Sequence, residues 1–273
     1  MQRTTAAAAS CTSSDQRHLL TAACRAALQA GAILRARYEQ PHEITMKGTI
    51  NLVTEADLSA EEVIVALLSA ETPGVAVMTE ETEATHSLEQ SGRFWVVDPL
   101  DGTTNFAHGF PFFAVSIALL DNGRPQAAAI YLPILDELFC SANGAGAWLN
   151  GQPIRVTDTT KLIASLVATG FPYEIERNLP QVMRHLGAML PRVRDIRRAG
   201  AAAVDLAYVA CGRLDGFYEM CLQPWDTAAG WLLIEEAGGR VSDFAGSPYS
   251  VFHPEILASN GGLHDCLQAL LNE

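Results

Sequence analysis

Residues 94–106 hold the side chains with the clearest capacity for chemistry. An apolar run, typical of a buried β-strand, ends in Asp98 and Asp101, and Pro99 between them favours an extended backbone that leads into a turn. The carboxyl ends of strands are where α/β enzymes place their sites. The two carboxylates and the carbonyl of Leu100 are therefore able to face one point, and hard oxygen ligands of this kind suit Mg²⁺.

Gly102 and Thr103 follow these carboxylates directly and are typical of the start of a helix. The free N–H groups at such a helix start would cradle a phosphate. A purely structural explanation is also open, in which Asp98 ends a strand and Asp101 caps the helix.

Further acidic side chains stand at the ends of predicted elements. Glu80 follows the apolar run 75–78, and Asp226 begins a helical stretch, where a carboxylate cap would contribute about 1 kcal/mol. Asp57 and Thr54 fit a capping box at another helix start. Each of these residues is thus also explained by a structural or solvated role.

Four carboxylates in one cleft, those of Glu80, Asp98, Asp101 and Asp226, would repel one another strongly in a low dielectric. Bound cations would remove that repulsion and would attract a phosphate to a chain whose formal net charge is −13. Other phosphate chemistries lack their motifs. No glycine-rich loop ends in Lys-Ser or Lys-Thr, no nucleophile elbow is present, and the spacing of Asp98 and Asp101 is not that of a haloacid-dehalogenase phosphatase.

The composition is that of a globular protein, because 273 residues with 49% hydrophobic content can bury a substantial core. The acidic balance repels nucleic-acid backbones and anionic membranes, so no nucleic acid and no membrane is expected as a partner. No apolar run is long enough to cross a bilayer. The six cysteines lack the close pairs of a zinc or dithiol site, so reduced thiols and a cytoplasmic location are expected.

Hydrophobic periodicity predicts the elements that position these residues. Residues 1–14, rich in Ala, Ser and Thr, are expected to be a disordered tail. A change from neighbouring strands to alternating strands and helices places a boundary near residue 152, which gives halves at 15–151 and 152–273. The predicted helices cover residues 18–38, 54–72, 201–211 and 226–237. The predicted strands cover residues 75–78, 94–97, 114–120, 127–131, 138–140, 166–169 and 216–218.

Two signatures are present in the chain. Residues 98–106 read D-P-x-D-G-T-x-N-F, and residues 225–230 read W-D-x-A-A-G, followed by E-A-G-G at 236–239. Together they resemble the inositol monophosphatase family over nearly all of the chain after residue 14. The resemblance implies a mixed α+β and α/β fold, a layered αβαβα sandwich of the inositol monophosphatase and fructose-1,6-bisphosphatase (sugar phosphatase) type. It also implies direct attack of a metal-activated water on phosphorus.

The same resemblance assigns roles to particular residues. It implies two or three Mg²⁺ ions, with Mn²⁺ as a substitute, held by Glu80, Asp98, the Leu100 carbonyl, Asp101 and Asp226. It implies that the water is positioned by Glu80 and Thr103, with Asp57 accepting a hydrogen bond from Thr103. The substrate and its phosphate are then bound by Gly102, Thr103, Gly200, Ala202 and Glu219. Sensitivity to lithium and a homodimer are implied as well.

The chain departs from the family's pattern at Asn51, where the family has an aspartate, and the loop after Lys47 is short. No role is therefore carried over to Lys47. Asp205, between two apolar residues, is expected to be a structural partner of Arg197 or Arg198 rather than a ligand.

The resemblance fixes the reaction more narrowly than the substrate. Residues 169–173 together with Glu219 favour an inositol-type member and hence myo-inositol monophosphate. The same chemistry on fructose 1,6-bisphosphate, histidinol phosphate or a nucleotide 3′-phosphate is the alternative. A protein of a different class, with a regulatory or interaction role on the same fold, is a further alternative. The retained carboxylates argue against it, since they would repel one another without metal.

Overall fold

A computed structural model describes residues 2–40, 44–46, 52–81 and 92–273. Lys47 and Asn51 lie outside these described residues. Among the helices that are described, none combines the length and the apolarity needed to cross a membrane. All six cysteines are free thiols, as the sequence predicts.

The chain begins with two helices, α1 (Gln2–Ser10) and α2 (Ser14–Arg37). Helix α1 differs from the disordered tail that the sequence predicts. Its alanines favour a helix, Ala7 is fully buried, and the Arg3 guanidinium lies 2.5 Å from a carboxylate oxygen of Asp136. These contacts order the segment, and they involve a residue too distant in the chain to be read from local sequence.

A seven-stranded sheet forms the larger layer of strands, which neighbour one another in chain order. They are β3 (Ala76–Thr79), β4 (Arg93–Asp101), β5 (Ala114–Asp121), β6 (Arg124–Leu132), β7 (Glu137–Ala142), β8 (Ala147–Leu149) and β9 (Gln152–Ile154). Only the first pair in this sheet, β3 and β4, is parallel. A separate hairpin pairs β1 (Ile44–Met46) with β2 (Leu52–Thr54).

A five-stranded sheet contains β10 (Leu166–Thr169), β11 (Asp195–Arg197), β12 (Gly216–Met220), β13 (Arg240–Ser242) and β14 (Glu255–Ser259). Its order is β11-β10-β12-β14-β13, in which β10 lies parallel to both β11 and β12. The remaining helices are α3 (Glu55–Glu71), α4 (Thr103–Ala107), α5 (Ile175–Met189), α6 (Ala202–Ala210), α7 (Pro224–Glu236) and α8 (His264–Leu271).

Three hydrophobic clusters show how these layers stack. Trp95 of β4 packs with α2 and α3 on one face of the large sheet, whereas Val96 packs with α6 and α7 on the other. Phe217 of β12 joins that same middle cluster, and Tyr218 packs with α5 and α8 on the outer side. This alternation follows from the two-residue period of a strand. The result is the layered αβαβα sandwich that the family resemblance implies.

The boundary predicted near residue 152 falls close to the end of the large sheet at Ile154. Helices α6 and α7 come from the second half of the chain, yet they pack against strands of the first half. The two halves therefore share one layer of helices, and their division into 15–151 and 152–273 stays a prediction.

Candidate active-site cleft

Strand β4 delivers Asp98 and Asp101 at its carboxyl end, where the pairing with β5 shifts register between them. Asp98 is 2% exposed and Asp101 is 7% exposed. The Leu100 amide donates a hydrogen bond to Asp98 Oδ1 (2.9 Å), and the Ala203 amide donates one to Asp101 Oδ2 (2.8 Å). One oxygen of each carboxylate is thus fixed by backbone, and the irregular strand end turns both residues toward one cleft.

Thr103 begins the short helix α4, after Gly102 adopts a left-handed backbone with φ of 90°. The Thr103 hydroxyl lies 3.1 Å from Asp57 Oδ1 and 3.0 Å from the Leu100 carbonyl oxygen, either of which accepts its hydrogen. The contact with Asp57 is the one that the family resemblance implies. It joins α4 to the start of α3.

Asp57 also closes the capping box at the start of α3. Its Oδ2 accepts hydrogen bonds from the Thr54 amide (2.8 Å) and the Thr54 hydroxyl (2.6 Å). Burial raises the pKa of Asp57, and the hydrogen bonds from Thr54 and Thr103 oppose that rise. The capping role and the contact with Thr103 use different oxygens of one carboxylate, so both explanations offered by the sequence are compatible.

Asp226 lies in the first turn of α7, and its Oδ2 accepts a hydrogen bond from the Gln223 amide (2.7 Å). The helix begins at Pro224 with Gln223 as its N-cap, so Asp226 is not the N-cap that the structural explanation predicts; it closes the capping box from the first turn, while it also lines the cleft. Burial raises the pKa of Asp226 to about 7, and the charge of Asp101 adds to that rise. A carboxylate in this position gains from any cation that binds beside it.

The cleft has a volume of about 720 Å³, and its lining includes all of the predicted site residues except Asp57. Those residues are Glu80, Asp98, Leu100, Asp101, Gly102, Thr103, Gly200, Ala202, Glu219 and Asp226. The segment that favoured an inositol-type substrate lines it as well, through Gly170, Phe171, Pro172 and Tyr173. Residues from both sheets and from the middle layer of helices thus meet in a single cleft.

The negatively charged carboxylates in this cleft repel one another. Burial raises the pKa of Asp98 well above its usual range, and the charges of Glu80, Asp101 and Asp226 raise it further. Burial likewise raises the pKa of Asp101 to about 7, against the backbone hydrogen bonds that lower it. A set of buried carboxylates in such mutual repulsion is chemically suited to hard cations such as Mg²⁺.

The four carboxylates share the cleft without being drawn together around one point. Across the described ranges, no three Asp, Glu, His or Cys side chains are grouped so as to enclose one ion. Hydrogen bonds to Leu100, Ala203 and Gln223 hold one oxygen each of Asp98, Asp101 and Asp226. The donor set thus fits Mg²⁺ in the chemistry of its oxygen ligands, but its described side chains do not enclose one point, although the sequence suggests that they could.

Two residues that contribute to the cleft, Asn105 and Arg198, receive no role there from the sequence. The Asn105 side-chain amide donates to the carbonyls of Phe112 (2.6 Å) and Ala199 (2.9 Å), which joins α4 to the turn before α6. Arg198 is the only basic residue among the described side chains that line the cleft, and its guanidinium lies 5.3 Å from the ring centre of Phe171. The asparagine of the first signature was a signal for Asn105, whereas no local pattern marked Arg198.

Asp205 is buried, and burial raises its pKa well above the usual range. The charge of Asp101 raises that pKa further, whereas the charge of Arg198 lowers it. Arg197 instead pairs with Asp195 at 2.5 Å. Of the two arginines that the sequence offered as partners, Arg198 is thus the one that acts on Asp205.

A layered αβαβα sandwich with a carboxylate-lined cleft is the architecture that the resemblance to the inositol monophosphatase family implies. The chain belongs to the inositol monophosphatase family, whose family model matches residues 15–273. It is 43% identical over 244 residues to the Nus factor SuhB of Escherichia coli, covering 89% of this chain and 91% of that protein. It is 42% identical, over the same length and the same shares of each chain, to an inositol-1-monophosphatase of Mesorhizobium japonicum.

Solved structures agree with this assignment. The structure of an inositol monophosphatase from Anabaena superposes with a TM-score of 0.86 at 39% identity, covering 95% of this chain and 97% of that one. The expected family and fold are therefore confirmed.

Proposed function

We propose that this protein hydrolyses small phosphate monoesters in a Mg²⁺-dependent reaction and that myo-inositol monophosphate is its substrate. Membership of the inositol monophosphatase family supports the phosphomonoesterase activity. The observation that carries the proposal is that Glu80, Asp98, Asp101 and Asp226 line one cleft together with Thr103.

The metal ligands in this proposal are Glu80, Asp98, the Leu100 carbonyl, Asp101 and Asp226. Their oxygens fit two or three Mg²⁺ ions, with Mn²⁺ as a substitute, since both are hard cations that prefer oxygen. When bound, these ions supply an activated water and stabilise the departing alkoxide. The carboxylates hold the site's negative charge at fixed positions, because backbone amides orient Asp98, Asp101 and Asp226.

Thr103 and Asp57 form the proton-handling pair. The hydrogen bond of 3.1 Å from the Thr103 hydroxyl to Asp57 leaves a lone pair of the Thr103 oxygen free to accept a hydrogen bond from the attacking water. Asp57 is 1% exposed, and burial raises its pKa, which favours the gain of a proton. Together with Glu80 these groups orient the water and receive its proton.

The other side of the cleft binds the substrate. The phosphate is bound by the backbone N–H groups of Gly102, Gly200 and Ala202. Two of these residues, Gly102 and Gly200, have φ of 90° and 85°, in the left-handed region that glycine adopts freely. Glu219, at the edge of the cleft on β12, accepts hydrogen bonds from the hydroxyl groups of the leaving group. A polyol phosphate satisfies both parts of this arrangement.

A phosphate-release assay over four substrate classes tests the proposal. Myo-inositol monophosphate, fructose 1,6-bisphosphate, histidinol phosphate and a nucleotide 3′-phosphate are compared with Mg²⁺ present and with excess chelator. We expect the highest kcat/KM for myo-inositol monophosphate and no turnover with chelator. A higher kcat/KM for one of the other three would refute the proposed substrate but not the proposed reaction. Turnover in excess chelator would refute the proposed dependence on Mg²⁺.

A second candidate is a regulatory or interaction role on the same fold, and the name Nus factor carried by several relatives favours it. It predicts a folded protein that releases no phosphate from any of the four substrates, even with Mg²⁺. The expected homodimer is tested separately by sedimentation of the Mg²⁺-loaded protein.

A further inference from the structure

Gly170 lies directly after β10 and beside Glu219 of β12. The two strands are parallel, and their register pairs Thr169 with Tyr218. One further step along both strands brings Gly170 next to Glu219, and both residues line the cleft. The carboxylate assigned to the substrate hydroxyls therefore neighbours a residue that has no side chain.

The backbone does not explain why this residue is a glycine. Gly102 and Gly200, in the same cleft, have the positive φ that favours glycine, whereas the φ of Gly170 lies outside that region. An alanine could thus adopt the backbone conformation of Gly170 without strain. The reason for the glycine must lie in what surrounds it.

A Cβ atom at position 170 would collide with the carboxylate of Glu219. Both carboxylate oxygens and Cδ of Glu219 would lie closer than 3.0 Å, a separation that real Cβ atoms essentially never show. These are the three nearest atoms, so the end of the Glu219 side chain occupies the space that a Cβ would take. Because the colliding atoms are the end of a flexible side chain, a Cβ would move the carboxylate rather than disrupt the fold.

The charges around Glu219 limit where its carboxylate can settle. Asp226 and Asp205 repel it, and Arg198 attracts it. A carboxylate displaced from Gly170 would have to find a new balance among these charges. Its present position depends on the open space over Gly170.

We propose that Gly170 is a positioning residue that sets the substrate specificity of this cleft, because its missing side chain leaves the space from which Glu219 accepts hydrogen bonds from substrate hydroxyls. The substrate class is then a phosphate monoester whose leaving group carries free hydroxyl groups. This role rests on the proposed phosphatase function and deepens it.

The test compares Gly170→Ala with the wild type on two substrates in Mg²⁺: myo-inositol 1-phosphate and p-nitrophenyl phosphate, whose leaving group has no free hydroxyl. We expect kcat/KM for the inositol phosphate to fall about ten- to hundredfold, mainly through KM, as is typical for a lost hydrogen bond to a charged group. The rate on p-nitrophenyl phosphate should change less than about twofold. The matched control is Gly187→Ala on α5, where a Cβ meets open space.

A double-mutant cycle with Glu219→Ala separates positioning from a general structural effect. Without the carboxylate there is nothing to displace, so adding Gly170→Ala to Glu219→Ala should cause no further loss on the inositol phosphate. An additive loss, or an equal loss on both substrates, would overturn the proposal. An active wild type with an unaffected Gly170→Ala would overturn the role of Gly170 alone. A wild type that releases no phosphate from either substrate would overturn the phosphatase function and this role with it.

Discussion

Asp101→Asn is the change whose effect can be worked most directly from the structure. Asp101 is 7% exposed, and its Oδ2 accepts a hydrogen bond from the Ala203 amide in the first turn of α6. Burial is the largest cause that raises its pKa from 3.8 to about 7, and Glu80 adds to it. In metal-free protein the ionised Asp101 is therefore a cost to the fold that an asparagine of the same shape removes.

The sign of the pH dependence follows from linkage. The folded state keeps the proton of Asp101 up to about pH 7, whereas the unfolded chain releases it near 3.8, so the stability of the metal-free protein falls as pH rises between these values. Above pH 5 the loss continues for about two pH units, up to the folded pKa of about 7, which amounts to about 3 kcal/mol at 1.36 kcal/mol for each pH unit. Asp101→Asn lacks this contribution. Its stability relative to the wild type should rise by about 2–3 kcal/mol from pH 5 to pH 8.

Urea unfolding in excess chelator measures this difference at the two pH values. Comparing the change between pH 5 and pH 8 cancels any constant effect of the substitution, such as a weaker hydrogen bond to Ala203. Asp158→Asn, at an exposed carboxylate outside the cleft, is the matched control and should show no such change. Adding Mg²⁺ should stabilise the wild type more than Asp101→Asn, since a ligand that binds only the folded state adds stability by mass action.

The enzymatic activity of Asp101→Asn provides a second comparison with the wild type. Asp101→Asn should lower kcat with Mg²⁺ by a few orders of magnitude, because it removes one of the charges proposed to hold the ions. If its stability relative to the wild type were the same at pH 5 and pH 8, the repulsion argued for this cleft would be refuted. Full activity would refute the assignment of Asp101 as a ligand.

Three further outcomes are expected. Turnover should require Mg²⁺, return in part with Mn²⁺ and be inhibited by tens of millimolar Li⁺, as measured by steady-state rates with each ion. Unchanged turnover in excess chelator would contradict the site of oxygen ligands. Glu219→Gln should lower kcat/KM for myo-inositol monophosphate about ten- to hundredfold and leave p-nitrophenyl phosphate unchanged, and equal losses would assign Glu219 to the metal site or the fold. Burial lowers the pKa of His264 to about 4, so its protonation should destabilise the fold as pH falls from 6.5 toward 4. His264→Gln should therefore lose less stability than the wild type between pH 7 and pH 4.5, and an equal loss in thermal unfolding would contradict this.

The elements nearest the site could be predicted from the sequence because their signals are local. The capping box of Thr54 and Asp57 starts α3 where the pattern indicates, and the apolar run before Asp98 is strand β4. In each case the residues that decide the structure are within a few positions of one another, so short-range propensity and spacing suffice.

Features that depend on distant residues escaped prediction. Helix α1 is held by the ion pair of Arg3 with Asp136, across 133 positions of the chain. Helix α5 contains Pro180, which by itself predicts a break, yet the helix runs from Ile175 to Met189. Its buried residues, among them Val182 and Met189, pack in the cluster with α8. Tertiary packing thus overrides the local signal.

The site residues likewise divide into those with local sequence signals and those that depend on distant contacts. The carboxylates of β4 and α7 are marked by their own sequence signatures. The contact of Asn105 with Ala199, in contrast, spans 94 positions of the chain. The collision that a Cβ at residue 170 would make arises only because β10 and β12 lie side by side. Spacing along the chain identifies groups that act together when they lie on one element. It cannot identify a residue whose only role is to leave room for another.

This arrangement places the two proposed tasks on different layers. The four carboxylates come from β4, from the residue after β3 and from the start of α7, whereas Glu219 lies in the five-stranded sheet and Gly170 directly follows its strand β10. A substitution at residue 170 or 219 therefore leaves the backbone amides that orient Asp98 and Asp101 in place. On this basis the leaving group that the protein accepts can change while the chemistry at phosphorus does not. The selective loss expected for Gly170→Ala, set beside the fall in kcat by a few orders of magnitude expected for Asp101→Asn, measures that separation directly.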